Sequence, residues 1–485
     1  MGVKLNKLGW QVILATFLLI SLMGRLNAAT RITCIGASIT YGAFIDSRDL
    51  NSFPGKLQQL LGENYEVKNY GVGGCTMLRN GDHPYWETKE YKEALNSNPD
   101  IVFIDLGGND SKLVNRKYLK EITADCRDMV IAFRNLPSQP RVIIMLPVVS
   151  FVTDTTGIWD PVIVNEVIPG LRQAAYELDV EVLDMHPLLI NHEELMPDKI
   201  HPNKEGSAIM ASRLFEAVIQ PIETYFNILP KLPKTATVNS FAGYKCANFT
   251  LSGRACKVVQ PKRSAKGHPW IWRTRFWGHE PQTDIALLER GFHLVYIDAA
   301  ELFGNDECIQ LYNDFYKQLR KAGLSSKALM EGMSRGAVYV LNWAAENPKK
   351  VSGVYIDNPL LDMKSWPCGL GKKEASPAEF EAFKQDYSIT SDEQLQTFSN
   401  SPIDKVDQIA KGNYPILILC ADEDKAALPD ENTLPFEQKM KAVGGKLKLI
   451  HKPGFGHHPH SFPNPEPIVR FLLDASGYNF LLEND

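Results

Sequence analysis

Two serines lie in short glycine-flanked turns. The spacing of the glycines around each serine is typical of a nucleophile. Ser38 lies in the segment GASITYG (36–42), directly after an apolar run, and Ser334 lies in GMSRG (332–336). A serine hydroxyl is inert at neutral pH, so it needs a base beside it and hydrogen-bond donors facing the developing oxyanion. Acid and histidine candidates follow each serine within its own half of the chain. The sequence therefore predicts two serine-nucleophile sites.

The partners predicted for Ser38 come from separate segments of the first half. Asp198 and His201 stand three residues apart near its end, and the glycine-rich segments GVGG (71–74) and GGND (107–110) each follow an apolar run. In open α/β sheets, ligand crevices form at the carboxyl ends of the strands. We expect these segments to meet Ser38 at that edge.

The second half offers several partners for Ser334. Asp422 and Asp424 follow one apolar run and Asp357 ends another, and all three precede the histidine-rich segment GFGHHPH (454–460). We choose Asp424 as the acid and leave the other two open. For the base, His457 and His458 both remain possible. His460 is interpreted as a structural residue or a substrate contact.

The segment HPWIWRTRFW (268–277) is dense in aromatic residues and arginine. Indole faces stack on sugar rings, and arginine side chains bind carboxylates in a fork-like geometry. Trp272, Arg273 and Arg275 are therefore candidate substrate contacts. The alternative is that these large side chains pack within the domain.

The elements that must position these residues alternate regularly in the first half. Strands are predicted at 31–35, 65–70, 101–106, 141–146 and 180–183. Helices are predicted at 53–61, 119–135, 162–178 and 203–225. Near-continuous Val, Ile and Leu runs separated by crossover helices indicate a parallel sheet covered on both faces.

A second series follows a segment with two prolines, ILPKLPK (228–234), that lacks a helical period. Strands are predicted at 255–260, 293–297, 328–331, 351–356, 414–420 and 446–451. Helices are predicted at 283–289, 306–322, 337–347, 377–387 and 435–443. The fold class is thus α/β, with two mostly parallel, three-layer sheet domains in series.

The first residues are typical of a secretory signal. Lys4 and Lys7 precede an apolar stretch at 10–23, and small residues, Ala28 and Ala29, follow it. An uncleaved anchor is the alternative. The predicted organisation is a signal peptide (1–29), a first hydrolase domain (30–228), a linker (229–239) and a second hydrolase domain (240–485). We expect a secreted or periplasmic protein with no membrane association after cleavage.

Composition limits the possible partners. The net charge of −5 and a pI near 6.2 give no electrostatic basis for binding nucleic acid or anionic membranes. Paired C-x-x-C spacing is absent from the sequence, and the histidine-rich segment has no carboxylate at ligand spacing, so we expect no metal and no organic cofactor. Cys246 and Cys256 are close enough to bridge in an exported protein, but the sequence leaves their pairing open. It also leaves the oligomeric state open.

The segments around Ser38, Gly74, Asn109 and His201 occur in the order of the SGNH (GDSL-like) hydrolase family, which the first half resembles. The resemblance implies a flavodoxin-like fold, with Ser38 as nucleophile, His201 as general base and Asp198 orienting it. The oxyanion hole would comprise the backbone N–H groups of Ser38 and Gly74 and the Asn109 amide. Where the family usually has Asp before the serine, this sequence has Ala37, which suggests a carbohydrate-esterase branch.

The second half resembles the α/β-hydrolase fold in a secreted-esterase-like branch. The resemblance implies that Ser334 is the nucleophile and that the Arg335 backbone N–H is one oxyanion donor. The second donor is expected from the loop 262–268. The usual Gly-x-Gly-His ending favours His457 as base, and the Leu428-Pro429 pair favours Asp424 as acid.

Together the halves resemble bacterial two-domain carbohydrate esterases. The expected function is a serine esterase that removes acyl groups, acetyl first, from an acylated glycan at two Ser-His-Asp sites. One alternative is a single active domain joined to a catalytically silent glycan-binding or scaffolding domain. The other alternative is lipase or peptidase activity in the second domain.

Overall fold

The computed structural model describes residues 29–223 and 225–478. The signal peptide predicted for residues 1–29 lies outside this range apart from its last residue. Among the described residues, no helix has both the length and the apolar character needed to cross a bilayer.

The first sheet contains five strands, each at a predicted position. They are β1 (Thr30–Gly36), β2 (Tyr65–Gly71), β3 (Ile101–Asp105), β4 (Arg141–Leu146) and β5 (Glu181–Asp184). Their order is β2-β1-β3-β4-β5, and β1 pairs in parallel with both β2 and β3. Because all five side chains of β3 are buried, its uninterrupted apolar run reflects cover on both faces.

Helices connect these strands. They are α1 (Ser38–Tyr41), α2 (Arg48–Asn51), α3 (Phe53–Leu61), α4 (Lys89–Asn96), α5 (Ile122–Arg134), α6 (Asp160–Val162), α7 (Ile168–Leu178) and α8 (Lys204–Ile219). In α5 the buried side chains include Ile122, Cys126, Met129 and Phe133, which recur at helical spacing along one face. The helix predicted at 203–225 is too long, because it ends at Ile219 before Pro221, whose nitrogen cannot donate a hydrogen bond.

The second sheet has nine strands. They are β7 (Thr237–Phe241), β8 (Tyr244–Leu251), β9 (Arg254–Gln260), β11 (Trp270–Thr274), β12 (His293–Ile297), β13 (Ala328–Met333), β14 (Val351–Asp357), β15 (Ile416–Ala421) and β16 (Leu447–Lys452). Their order is β16-β15-β14-β13-β11-β12-β9-β8-β7, parallel from β16 to β12 and antiparallel from β12 to β7. Two short strands, β6 (Ile222–Glu223) and β10 (Ser264–Ala265), form a separate antiparallel pair.

Eight helices accompany the second sheet within the described residues. They are α9 (Gln282–Glu289), α10 (Asp306–Ala322), α11 (Gly336–Glu346), α12 (Pro377–Asp386), α13 (Asp392–Gln396), α14 (Val406–Lys411), α15 (Thr433–Ala442) and α16 (Glu466–Ser476). The side chain of Asn305 caps α10 by accepting the Cys308 N–H, and Gly323 ends it in the left-handed conformation. The predicted fold class, two mostly parallel α/β sheets in series, is confirmed.

The strands β6, β7, β8, β10 and β11 were not predicted from the sequence. The strand β11 belongs to the aromatic segment that was interpreted as a possible sugar site, and all five of its side chains are buried. The antiparallel strand β8 alternates between buried and partly exposed side chains over much of its length. Neither resembles the long aliphatic runs used to predict the other strands.

The described chain folds as two compact units. One comprises the described residues up to Val167 together with Glu193–Phe215, and the other comprises Ile168–His192 together with the described residues from Glu216 onward. The predicted domain boundaries at residues 228 and 240 stay a prediction.

A bridge between Cys246 and Cys256 is incompatible with the strand register. Cys246 lies opposite Val259, and Cys256 lies opposite Phe249 on the neighbouring strand. The two cysteines are therefore offset by three residues, or about 10 Å along the strands. A disulfide needs a Cα–Cα distance of about 4.4–6.8 Å. Both thiols are free and buried.

Candidate active sites

Ser38 is held at the carboxyl edge of the first sheet by a close backbone approach. It starts α1 one residue after β1 ends, and the Ala37 N–H donates to the Asp105 carbonyl at 3.3 Å. A Cβ added to Gly36 would lie 2.1 Å from Thr40 Oγ1 and 2.6 Å from the Asp105 carbonyl oxygen. Only glycine fits at this position, so the tight turn that presents Ser38 depends on it.

The structure brings Ser38, His201 and Asp198 into one hydrogen-bonded chain. His201 Nε2 lies 2.7 Å from Ser38 Oγ, and His201 Nδ1 lies 2.5 Å from Asp198 Oδ2. The second carboxylate oxygen accepts the backbone N–H groups of Ile200 at 3.0 Å and His201 at 2.7 Å. Asp198 thereby fixes both the backbone and the ring of the histidine.

The charge on Asp198 follows from the same contacts. Burial alone would raise the pKa of Asp198, but the hydrogen bonds from His201 and Ile200 outweigh it and hold the pKa below its ordinary value. The side chain is therefore a carboxylate at neutral pH. A carboxylate accepting the Nδ1 proton leaves Nε2 as the atom that can take a proton from Ser38 Oγ.

Two further loops reach the same edge with hydrogen-bond donors. Asn109 is buried and lines the same pocket as Ser38, and Gly74 has a φ of 80°, a left-handed conformation that favours glycine. The side chain of Asn115 donates to the Asn109 carbonyl at 2.9 Å and so fixes that loop.

Asp110 ties the loop of Asn109 to the segment that follows Gly74. Its carboxylate accepts the N–H of Met77 at 3.0 Å and that of Leu78 at 2.8 Å. Burial raises the pKa of Asp110 to about 6, although these N–H groups lower it in part. The sequence analysis did not assign a role to Asp110, because its partners lie more than thirty residues earlier in the chain.

A mostly apolar pocket adjoins Ser38. Its aliphatic lining includes Val148, Val149, Ile158, Ile163 and Ile200. These side chains come from three separate loops or helices and have no motif of their own, so sequence reasoning missed them. An apolar wall beside a nucleophile suits the hydrocarbon part of an acyl group.

Ser334 lies on a sharp turn between β13 and α11. Its φ is 51°, an uncommon conformation for a residue other than glycine. A Cβ added to Gly332 would lie 2.7 Å from the Gly336 backbone, and one added to Gly336 would lie 2.8 Å from the Thr274 carbonyl oxygen. Both glycines are required by close contacts, as expected for a nucleophile elbow.

A second hydrogen-bonded chain joins Ser334, His457 and Asp424. His457 Nε2 lies 3.0 Å from Ser334 Oγ, and His457 Nδ1 lies 2.7 Å from Asp424 Oδ2. The other oxygen of Asp424 accepts the N–H groups of Ala426 at 2.7 Å and Ala427 at 3.0 Å. This arrangement can move a proton in the same way as the first.

The other acid candidates have different partners. Asp422 Oδ1 lies 2.6 Å from His451 Nδ1. Asp357 is buried and lies 3.2 Å from His460 Nδ1, and it accepts the Ser461 N–H at 2.6 Å. Of the three acids, Asp424 is the one that the structure places on the histidine beside Ser334. The ring of His458 lies edge-on to His457, with centroids 5.0 Å apart.

The loop 262–268 cannot supply the second oxyanion donor, and that expectation is wrong. It precedes β11 and so lies at the amino end of that strand. Because β11 pairs in parallel with β13, the loop after Thr274 lies beside the Ser334 turn. A Cβ on Gly336 would lie 3.9 Å from Arg275 Cβ. The backbone N–H groups at Arg275 and Phe276 are the better candidates.

Two of the predicted substrate contacts are also wrong, because their side chains are buried. Trp272 is fully buried and stacks on Tyr312 at 4.6 Å. Arg273 is 1 % exposed, and its guanidinium lies 2.6 Å from Asp284 and 3.0 Å from Glu331. Aromatic residues and arginine in this strand pack the core rather than a sugar.

Arginine side chains near Ser334 are also engaged by the protein. Arg275 is partly buried and donates to the Ala300 carbonyl. The Arg335 guanidinium pairs with Glu379 and lies 4.7 Å from the Phe303 ring centroid. The side chain of Arg335 thus has a structural role, while its backbone N–H follows the nucleophile directly.

Comparison with known proteins finds a family to which the first half of the chain is similar. Residues 34–209 match the GDSL-like Lipase/Acylhydrolase family. The resemblance predicted for the first half is confirmed. An acetylxylan esterase from Xylanibacter ruminicola is 36% identical over an alignment of 208 residues, which covers 39% of this chain and 43% of that protein. The match thus spans less than half of the relative's length.

Solved structures show more distant similarities. Est1E from Butyrivibrio proteoclasticus matches 50% of this chain and 99% of its own, with 20% identity and a TM-score of 0.35. A carbohydrate acetylesterase family member from Sinorhizobium meliloti matches 39% of this chain and 97% of its own, with 19% identity and a TM-score of 0.32.

Asp105, in the pocket beside Ser38, gives a prediction on pH. Burial raises the pKa of this carboxyl to about 6 although Thr40 Oγ1 donates to it at 2.7 Å. The native state therefore binds the proton more tightly than the unfolded chain. The stability that the protonated Asp105 carboxyl contributes is fully present below the pKa of this carboxyl in the unfolded chain. It is lost as the pH rises through about 6.

Asp105→Asn should therefore raise the free energy of unfolding at about pH 8 by up to about 3 kcal/mol, since a tenfold change in a protonation constant corresponds to about 1.4 kcal/mol. Near pH 4 the gain should vanish. Urea denaturation at both pH values measures this, with Asp49→Asn, whose side chain is 85% exposed, as control. An equal effect at both pH values would contradict the prediction.

The choice of Asp424 gives a second prediction. In a Ser38→Ala background, Asp424→Asn should lower kcat for p-nitrophenyl acetate about 100-fold or more, because the imidazole loses its charged partner. Asp422→Asn is the matched control and should stay within about twofold. A large loss in Asp422→Asn with a small loss in Asp424→Asn would reassign the acid.

Proposed function

We propose that this protein is a serine esterase that removes acyl groups, acetyl first, from acylated carbohydrate, with two Ser-His-Asp sites in one chain. The observation that carries the proposal is the pair of hydrogen-bonded chains from serine through histidine to aspartate, with Ser–His distances of 2.7 and 3.0 Å. The family match over residues 34–209 and the acetylxylan esterase relative support ester chemistry at the first site.

At the first site, His201 Nε2 takes the proton of Ser38 Oγ as that oxygen attacks the ester carbonyl. The negative charge that forms on the carbonyl oxygen faces the N–H groups of Ser38 and Gly74 and the amide of Asn109. The protonated His201 then gives its proton to the departing sugar oxygen, leaving an acyl-serine. Water attacks the acyl-serine with His201 again as base, which releases the acid and restores Ser38.

The walls of the first site define the substrate. The aliphatic pocket beside Ser38 takes the acyl group, and its Val149 and Ile163 side chains limit the length of that group. On the other side, Phe44 is 86% exposed and lies edge-on to His201, with ring centroids 5.2 Å apart. An exposed phenyl ring beside the base gives a sugar ring an apolar face to pack on.

The second site follows the same steps with its own residues. Ser334 attacks, His457 carries the proton and Asp424 stabilises the charged imidazole. The oxyanion donors are the N–H of Arg335 and the N–H groups at Arg275 and Phe276. A complete triad favours two active sites over a silent binding domain. The chain would act outside the cytoplasm after export by the signal peptide at 1–29, with hydrolase domains at 30–228 and 240–485 joined by a linker at 229–239.

Single-serine variants test the proposal. Ser38→Ala and Ser334→Ala should each remove one part of the esterase activity, and the double variant should lose at least about 10³-fold relative to the unaltered chain. Both losses are measured on each variant, as the initial rate of p-nitrophenyl acetate hydrolysis and as acetate release from acetylated xylan. Ser240→Ala, an exposed serine remote in sequence from both motifs, is the control.

Complete loss from one serine variant with no loss from the other would contradict the two-site proposal and leave one enzyme joined to a silent domain. Full activity in the double variant would contradict ester hydrolysis by either serine.

A further inference from the structure

An imidazole and carboxylate cluster lies next to the second triad. The sequence shows three histidines in the segment 454–460 but no carboxylate at ligand spacing. The fold supplies one from a distant loop, because His279 and Glu280 lie beside His458. One ligand atom from each of these three residues lies within 4.8 Å of the other two.

Neighbouring histidines are already engaged. Both ring nitrogens of His457 are used, by Asp424 and by Ser334. His460 is buried, and its Nδ1 lies 3.2 Å from Asp357. His458, by contrast, is exposed, and no group in residues 29–223 or 225–478 hydrogen-bonds to its ring. His458 can therefore bind a ligand without removing a hydrogen bond from the triad.

The carboxylate is held in place before any ligand arrives. Glu280 Oε2 accepts the backbone N–H of His460 at 2.6 Å, which joins the loop of His279 to the histidine segment. The same oxygen lies 3.4 Å from His279 Nε2. The rings of His279 and His458 are perpendicular, with centroids 5.6 Å apart. Two imidazoles thus approach one anchored carboxylate from different directions.

We propose that His279, Glu280 and His458 bind one divalent transition-metal cation, such as Zn²⁺, beside the second active site. Two imidazole nitrogens and one carboxylate oxygen form a donor set that suits zinc, which takes a fourth ligand from solvent. Zinc–ligand bonds of about 2.0–2.2 Å place tetrahedral ligand atoms about 3.3 Å apart. The ligand atoms now lie within 4.8 Å of one another, and the exposed side chains of His279 and His458 have room to rotate toward the shorter separation.

A cation there has a consequence for catalysis that rests on the proposed function of the second site. The ring of His458 lies edge-on to that of His457, with centroids 5.0 Å apart. A cation held by His458, with its bound solvent, would therefore narrow the space beside His457 and Ser334 that the ester must enter. We expect zinc to inhibit hydrolysis at the second site.

Calorimetric titration of Zn²⁺ into the metal-free, full-length protein tests binding without reference to activity. We expect one equivalent to bind, and His279→Ala and His458→Ala each to weaken it about tenfold or more. His451→Ala is the matched control, because Cys420, Asp422 and His451 form another group of ligand atoms within 4.8 Å of one another. Circular dichroism verifies that each variant is folded.

Absence of stoichiometric binding would overturn the proposal, as would full binding in His279→Ala and His458→Ala. Loss of binding in His451→Ala alone would move the site to the other cluster and equally overturn it.

Inhibition is measured in the Ser38→Ala background, where hydrolysis of p-nitrophenyl acetate reports Ser334. Zinc should lower that rate reversibly on chelation, and should not do so when His279→Ala is added. Bound zinc without inhibition would overturn the regulatory role. If Ser38→Ala is inactive without zinc, the proposed second activity fails while the binding result stands.

Discussion

Both candidate sites depend on a glycine that lets a strand-end turn approach a neighbouring backbone too closely for any other residue. At the first serine, Gly36 packs against the Asp105 carbonyl of the adjacent strand. At the second, Gly336 packs against the Thr274 carbonyl of the adjacent strand. A Cβ at either place would force the turn away from its neighbour. The serine would then leave the reach of a histidine that comes from a loop far later in the chain.

The two sites share a second device, although their sheets differ in strand order. In each, one aspartate oxygen receives the histidine Nδ1 and the other receives two backbone N–H groups. For Asp198 these belong to Ile200 and His201, so the acid holds the histidine's own loop. For Asp424 they belong to Ala426 and Ala427, so the acid holds its own loop instead. In both cases a fixed carboxylate orients the imidazole, which is what a general base requires.

Local motifs explain what could be predicted from sequence. Glycine-flanked serines after apolar runs, and an acid three residues before a histidine, indicate a serine-nucleophile site even when the fold is unknown. The choice among Asp424, Asp422 and Asp357 needed coordinates, because Asp357 ends β14 and the other two closely follow β15 of the same sheet. The burial of Arg273 was also hidden, since its partners Asp284 and Glu331 come from other elements. Because β11 was not predicted as a strand, the oxyanion donor was expected from the loop before it, at the opposite end of the sheet from Ser334.

The proposed function requires each serine to be activated by its own histidine, and labelling resolved by site measures that activation separately for the two serines. A fluorophosphonate reacts with activated serines, and mass spectrometry of the modified peptides gives separate rates for Ser38 and Ser334. In His201→Ala, labelling of Ser38 should be lost while labelling of Ser334 proceeds as in the unaltered chain. Labelling of Ser38 at an undiminished rate without His201 would contradict it.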